Sequence, residues 1–166
     1  MNLNNLFQNF CKKNNLEINA YQLTIVNKIE SFYTSNFNKS IFKKFFLKDN
    51  SKQVFYLHGG VGVGKTMILN FFFDLVEEKK LRQHFNEFML SFHDFAHEKK
   101  EKNEENVINQ FVKNLKSKTK LIYFDEFQVT NIVDAMILGK LFEQIFKEDI
   151  KIILTSNIKI SELYKD

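Results

Sequence analysis

The stretch HGGVGVGKTM, residues 58–67, decides the fold class of this chain. It holds four of the five glycines in the 166-residue sequence. Within it, Gly59 to Thr66 matches the pattern G-x-x-x-x-G-K-[ST]. The match follows a predicted strand, Gln53–His58, and begins a predicted helix from Lys65 to Lys79. A strand, a glycine-rich loop and a helix in this order are typical of a phosphate-binding loop, or P-loop.

Each residue type in the loop has a physical role. Glycines let backbone N–H groups face phosphate oxygens, in torsions that a Cβ atom would oppose. The helix N-terminus adds a partial positive charge. We expect Lys65 to reach the β- and γ-phosphates of a nucleotide and the Thr66 hydroxyl to bind Mg²⁺. The predicted nucleotide-binding residues are therefore Gly59, Gly60, Val61, Gly62, Val63, Gly64, Lys65, Thr66 and Met67.

Two further motifs follow apolar segments. In LIYFDEF (121–127), Asp125 ends a predicted strand, where it can hold Mg²⁺ through water, and Glu126 can polarise an attacking water. A helix cap is the alternative for an isolated Asp-Glu pair. In LTSN (154–157), Asn157 ends the next predicted strand, where it can help hold that water and sense the γ-phosphate; in isolation it would indicate a turn. The predicted catalytic residues are Lys65, Glu126 and Asn157, and the predicted metal-binding residues are Thr66 and Asp125.

Composition restricts the class of protein. Hydrophobic residues make up 44% of the chain and charged residues 27%, as in globular domains. No apolar run approaches the roughly 20 residues of a membrane span, and the N-terminal residues lack a secretory pattern. Cys11 is the only cysteine, which fits a reducing, cytosol-like compartment. The net charge of +4 permits an acidic partner, but the lysines are scattered, as on solvated surfaces.

Periodicity predicts an α/β fold with a parallel sheet, because helical and strand patterns alternate along the chain. Two amphipathic helices are predicted before the P-loop, so we divide the chain into a helical segment over residues 1–50 and a P-loop core over 51–166. Later helices are predicted around Val107–Leu115 and over Asp134–Lys147. The predicted strands are Val54–His58, His84–Met89, Leu121–Asp125 and Ile150–Thr155.

Four stretches together resemble one family, the ZapE-type cell-division ATPases of bacteria and their mitochondrial Afg-type relatives. They are GGVGVGKTMIL, FNEFMLSFH, YFDEFQVTNIVDAMILGKLFEQIF and LTSNIKISELYKD. The third is far more specific than a P-loop. The resemblance covers residues 16–166 and implies an AAA+-like P-loop ATPase that uses ATP and Mg²⁺. Two positions depart from the family, which usually has histidine at Asn86 and arginine at Ile158.

The resemblance also implies features that depend on length. Family members continue into a further strand, arginine-bearing segments and a lid, so we expect a core truncated after strand 4. The AAA+ strand order 5-1-4-3-2 then leaves strand 1 at the edge, with low stability, a tendency to aggregate and very weak turnover. Gln22, in NAYQ (19–22), lies where the family has an Asp-x-x-Gln-like element. Its amide could reach the adenine edge, or Gln22 could be a polar residue on a helix surface.

The leading hypothesis is an ATPase that acts on a protein partner. By resemblance, the partner belongs to the division ring or the inner membrane, and the protein is bacterial and cytoplasmic, with at most peripheral membrane contact and homo-oligomers in its complete form. One alternative is a nucleic-acid-associated AAA+ loader, for which binding would fall steeply with salt. Nucleic acid is not the expected partner, because no aromatic-basic single-strand motif is present. The other alternative is a nucleotide-binding module without turnover.

Overall fold

The computed structural model describes residues 2–37, 52–101, 103–129 and 132–159. Helices and strands alternate along most of the chain after two N-terminal helices. In chain order the elements are α1 Leu3–Lys13, α2 Ala20–Phe37, β1 Val54–His58, α3 Lys65–Leu75, β2 Lys80–His84, α4 Phe85–Lys99, α5 Glu104–Lys118, β3 Leu121–Asp125, α6 Ile132–Lys147 and β4 Lys151–Ser156.

The four strands form one parallel sheet in the order β1-β4-β3-β2. Every residue of the central strands β3 and β4 is buried, whereas β1 and β2 are half-buried. This difference explains why the central strands are nearly continuous apolar runs. The predicted parallel α/β fold is confirmed, and so is the order 1-4-3-2. Among the described strands, β1 pairs with β4 alone.

Helices cover both faces of the sheet. Alternate residues of β3 point to opposite faces: Leu121 and Tyr123 pack against α1, α2 and α3, while Ile122 and Phe124 pack against α4, α5 and α6. Phe7 of α1 is fully buried and meets Phe71 of α3 edge-on, with ring centroids 5.2 Å apart. The N-terminal helices therefore share a core with the P-loop helix. The predicted division between residues 50 and 51 lies outside the described residues.

The predicted second strand, His84–Met89, is wrong except for its first residue. The observed strand is β2, Lys80–His84, and helix α4 begins at Phe85. The buried residues of this helix are Phe85, Phe88, Met89 and Phe92, whose spacing follows the helical period. The true strand, KLRQH, lies at the edge of the sheet and carries charged and polar side chains, so it lacks the apolar run that marks a buried strand.

Other boundaries shift by a few residues. The P-loop helix ends at Leu75 rather than Lys79, because Val76 is extended. The Lys80 ammonium donates to the carbonyl oxygens of Phe73 and Val76, and so satisfies carbonyls at the helix C-terminus. Helix α6 begins two residues earlier than predicted and β4 lies one residue later. Among the described residues, no helix combines the length and apolar character needed to cross a membrane.

Candidate nucleotide-binding site

The glycine-rich loop joins the end of β1 to the start of α3, as predicted for a P-loop. Gly62 and Gly64 have φ values of +83° and +89°, a region that side chains with a Cβ rarely adopt. A Cβ atom at Gly64 would also lie 3.2 Å from Nε2 of Gln22. Glycine is therefore required at both positions. A Cβ atom at Gly60 or Gly62 would meet nothing within 4 Å, so the loop faces open space there.

Lys65 is the first residue of α3, and its side chain folds back over the loop. The residue is only 8% exposed. Its Nζ atom donates to the carbonyl oxygens of Gly59 and Gly60, at 2.7 and 2.8 Å, and to Oδ1 of Asn157 at 3.0 Å. Three acceptors thus match the three N–H bonds of the ammonium. The structure brings together two predicted catalytic residues that lie 92 positions apart in the sequence.

The remaining P-loop residues surround this lysine. Thr66 is exposed at the second position of α3, and Met67 is half-buried. Val61 is 87% exposed and Val63 is exposed as well, so neither valine contributes to the core. Their exposure agrees with a contribution through backbone N–H groups instead of side chains. Contact of any of these residues with nucleotide stays a prediction.

Gln22 is buried, which differs from a polar residue on an exposed helix surface. Its backbone N–H donates to Asn19 Oδ1 at 2.9 Å, and its own Oε1 accepts from the Asn19 N–H at 3.1 Å. These reciprocal bonds cap the start of α2. The Gln22 amide nitrogen lies against the P-loop beside Gly64. Gln22 therefore supports the loop, and contact with adenine stays a prediction.

Asp125 ends β3 with both carboxylate oxygens engaged. Its Oδ1 accepts from the hydroxyls of Thr155, at 2.8 Å, and Tyr123, at 3.2 Å, while Oδ2 accepts from Nη2 of Arg82 at 2.8 Å. Burial by itself raises the pKa of Asp125, but the hydrogen bonds from Arg82 and Thr155 outweigh it and hold the pKa of this carboxyl below its ordinary value. The group is thus kept charged, as a metal ligand must be.

Glu126 follows Asp125 and points into solvent. Its side chain is 78% exposed, and Oε2 lies 4.0 Å from Nδ1 of His84. Its backbone N–H donates to Thr155 Oγ1 at 3.3 Å. The φ angle of +54° is unusual for a residue other than glycine, and such strained positions concentrate at functional sites. Glu126 is therefore accessible to a water molecule at the carboxyl edge of the sheet.

Sequence reasoning did not find three residues that hold Asp125 in place: Arg82, Tyr123 and Thr155. Thr155 lies two positions before the predicted Asn157, and Tyr123 two positions before Asp125, so proximity in sequence was a usable signal. Arg82 could be found only from the register, which pairs it with Tyr123 across β2 and β3. Because the second strand was predicted at the wrong residues, this register could not be deduced from the sequence.

The residues present fit a nucleotide with Mg²⁺. The loop forms a cradle at the N-terminus of α3, where backbone N–H groups and the dipole favour phosphate. The buried Lys65 ammonium adds a full positive charge. The Thr66 hydroxyl and the charged Asp125 carboxylate are the hard oxygen donors that Mg²⁺ prefers, and Mg²⁺ is commonly held by one or two such groups together with substrate phosphates.

A P-loop after the edge strand, with a carboxylate and an amide at the ends of the neighbouring parallel strands, defines a P-loop nucleotide-binding protein of the AAA+-like class. Residues 7–166 match the model of the AFG1-like ATPase family. The chain belongs to this family of ATPases, as the sequence resemblance indicated.

Curated relatives agree with this assignment. Lactation elevated protein 1 homolog B of Danio rerio is 40% identical over 129 residues, which cover 72% of this chain and 26% of that protein. Cell division protein ZapE of Escherichia coli K12 is 39% identical over 114 residues, which cover 67% of this chain and 29% of that protein. The matched part of the chain thus spans little more than a quarter of the length of these relatives.

Solved structures support the fold. The chain is similar to DnaI, with a TM-score of 0.53 and 18% identity over 90% of this chain and 73% of that one. It is also similar to domain III of the Thermotoga maritima replication initiation protein DnaA, with a TM-score of 0.51 and 19% identity over 66% and 46% of the two chains. At these identities the likeness shows a shared fold and carries no function.

Proposed function

We propose that this chain binds ATP together with Mg²⁺ and forms part of an ATP-hydrolysing site. The observation that carries the proposal is the position of Lys65. Its Nζ atom lies within 3.0 Å of the P-loop carbonyl oxygens and of Asn157 Oδ1, at the edge of the sheet where Asp125 also lies. The Lys65 ammonium group thereby links the P-loop to Asn157, the side chain suited to sense the γ-phosphate.

Each residue has a distinct task in this proposal. The loop N–H groups and Lys65 bind phosphate oxygens, and Thr66 and Asp125 hold the metal ion. Bound Mg²⁺ supplies charge neutralisation on the phosphates. Glu126 accepts a proton from the attacking water, and Asn157 orients that water through its neutral amide. All of these groups lie at or just beyond the carboxyl ends of β1, β3 and β4, where ligands bind in open parallel sheets.

Substitution of Lys65 by alanine tests binding. We expect Lys65→Ala to lose most affinity for ATP with Mg²⁺, measured by isothermal titration calorimetry, because the phosphates lose a charged hydrogen-bond donor. Lys113→Ala is a matched control, since Lys113 is an exposed helical lysine on α5. Thermal unfolding of each variant checks that it folds. Equal affinity in Lys65→Ala and the parent would contradict the P-loop assignment.

Substitution of Glu126 by glutamine tests the chemistry. Glu126→Gln should keep nucleotide affinity and lose phosphate release, because an amide cannot take up the proton of the attacking water. The side chain is exposed and its replacement has nearly the same shape, so the fold should be unchanged. The comparison is made in a longer, complete form of the protein, in which equal rates of phosphate release with Glu or Gln at position 126 would place the base elsewhere.

Binding without turnover is the second candidate, and one observation favours it. Arg82 is the only arginine in the sequence, and its guanidinium is paired with Asp125. An arginine that contacts the transferring phosphate raises the rate of related ATPases by about 10³- to 10⁵-fold. The chain by itself should therefore bind nucleotide with slow phosphate release. Rapid release by purified residues 1–166 would count against this candidate.

The partner and location are also proposals. One relative is a cell division protein. On that basis we propose a protein partner near the division ring, a bacterial cytoplasmic location with at most peripheral membrane contact, and homo-oligomers in the complete protein. Analytical ultracentrifugation with and without ATP and Mg²⁺ tests self-association. A steep loss of partner binding with salt would instead indicate nucleic acid.

A further inference from the structure

Arg82 and Asp125 form an ion pair across the two neighbouring strands β2 and β3. The register places Arg82 opposite Tyr123, two residues before Asp125 on the same side of β3. The Arg82 guanidinium packs over the Tyr123 ring, with Cζ 5.0 Å from the ring centroid, and Nη2 donates to Asp125 Oδ2 at 2.8 Å. The tyrosine thus holds the guanidinium at the height of the carboxylate.

The pair differs in exposure between its two members. The Arg82 side chain is 38% exposed, whereas the Asp125 side chain is 10% exposed. Oδ1 of Asp125 is held by two buried hydroxyls, so Oδ2, which Arg82 contacts, is the oxygen on the more open side. Because Arg82 lies on an edge strand and has a long, flexible side chain, its guanidinium can move into solvent while the Asp125 carboxylate stays in place.

We propose that Arg82 is a positioning residue that competes with Mg²⁺ for the Asp125 carboxylate. Without metal, the guanidinium neutralises this carboxylate and keeps it oriented. A divalent cation approaching Asp125 meets a carboxylate whose charge is already compensated and a positive group within hydrogen-bond distance of it. Arg82 therefore raises the Mg²⁺ concentration at which the metal-bound nucleotide state forms. This inference rests on the proposed function, because it assumes that Asp125 serves the metal.

A purely structural role for the ion pair predicts something different. If the pair only stabilises the fold, its loss lowers the free energy of unfolding and leaves the Mg²⁺ dependence of nucleotide binding unchanged. Competition predicts a change in that dependence, with nucleotide affinity in the absence of metal unaffected. The Mg²⁺ dependence, rather than activity or stability, is therefore the decisive measurement.

The first experiment follows a fluorescent ATP analogue in EDTA and then across a Mg²⁺ titration. We expect Arg82→Gln to lower the half-saturating Mg²⁺ concentration by about threefold or more, because one positive charge near the metal is removed. Arg82→Lys keeps the charge and should resemble the parent. Lys120→Gln removes an exposed charge just before β3, away from the site, and is the matched control. An unchanged or higher half-saturating concentration in Arg82→Gln would overturn the inference.

The second experiment needs neither a substitution at Arg82 nor a nucleotide. Because the sequence contains one arginine, selective ¹⁵N-arginine labelling of the parent chain gives the side-chain signals of Arg82 alone. Titration with MgCl₂ should shift these signals, and Asp125→Asn should abolish the response. A response without nucleotide binding would refute the proposed function, while still showing that Arg82 and Mg²⁺ compete for the Asp125 carboxylate. Nucleotide binding with no response of the arginine signals to Mg²⁺ would overturn the Arg82 inference and leave the proposed function standing.

Discussion

Replacing Glu126 by glycine is expected to stabilise the chain, although it removes the proposed catalytic base. Glu126 has a φ of +54°, in the left-handed region that disfavours residues with a Cβ atom. Its side chain is 78% exposed, and its Oε2 atom lies 4.0 Å from Nδ1 of His84. The side chain therefore contributes little stabilising contact, while the backbone conformation carries a cost.

The size of the effect follows from two opposed contributions. A residue with a Cβ atom in the left-handed conformation costs about 1–2 kcal/mol, and glycine removes that cost. Glycine also gains freedom in the unfolded chain, which offsets about 0.4–1 kcal/mol of the gain. The net stabilisation of Glu126→Gly relative to Glu126→Ala is thus about 0.5–1 kcal/mol. For a domain of this length, that corresponds to a rise in Tm of about 1–4 °C.

Thermal and urea unfolding, followed by circular dichroism, measure this difference. Lys100→Gly is the matched control, because Lys100 has a φ of +50° at the exposed end of α4 and lies outside the proposed site. Both glycine variants should be more stable than the parent, and Glu126→Gln should resemble the parent. If Glu126→Gly were less stable than Glu126→Ala, the strain at Glu126 would be refuted. A stabilised Glu126→Gly variant would show that the parent chain retains backbone strain at the position of the proposed base.

Two further predictions concern the core. Phe7→Ala should lower the free energy of unfolding by about 3–5 kcal/mol in a single urea transition, since Phe7 is fully buried against Phe71 of the P-loop helix; two separate transitions would instead show that the N-terminal helices fold alone. Burial raises the pKa of Tyr123 to about 12 and, with the hydrogen bond to Glu78, raises that of Tyr33 above its usual range, so both should ionise late in an ultraviolet titration. Because the fold favours the neutral phenols, the contribution of these two tyrosines to the free energy of unfolding should be fully present below pH 10, the ordinary tyrosine pKa, and should fall as the pH rises toward 12. If both ionised at the same pH as the other tyrosines, this prediction would be wrong.

Much of the fold could be predicted because local and global signals agree. The P-loop combines glycines at the positions with positive φ and a lysine that begins the helix, so its pattern has one structural interpretation. Strands β3 and β4 are buried on both faces, which gives them the uniform apolar runs that periodicity analysis detects. Once these elements were assigned, the strand order followed from the family resemblance.

Strand β2 shows where such reasoning fails. Edge strands are only half-buried, so KLRQH has no apolar run. Its lysine bonds to carbonyl oxygens at the end of α3, and its arginine bonds to Asp125, 43 positions away in the sequence. The aromatic residues that follow attracted the strand assignment, although their spacing of three and four residues fits a helix better. The error extended to the site, because the Arg82–Tyr123 register was then not available.

The position of the P-loop depends on the contact between β1 and β4. Beyond the end of the paired strands, the Gly59 N–H donates to the Ser156 carbonyl oxygen at 3.3 Å. The Tyr56 hydroxyl also donates to the Ile158 carbonyl oxygen, at 2.6 Å. The pairing therefore continues past both strands into the two loops that form the site.

Because β4 leads directly to Asn157, the same contact determines where Lys65 and Asn157 lie relative to each other. Separation of β1 from β4 would break the 3.0 Å contact between these side chains, while Asp125 on β3 would keep Arg82 and Tyr123. Among the described strands β1 has no second partner to compensate. Loss of nucleotide affinity should thus precede loss of the β2–β3 half of the sheet when the chain is gradually destabilised, and the predicted tendency of β1 to aggregate has its physical origin at the same edge.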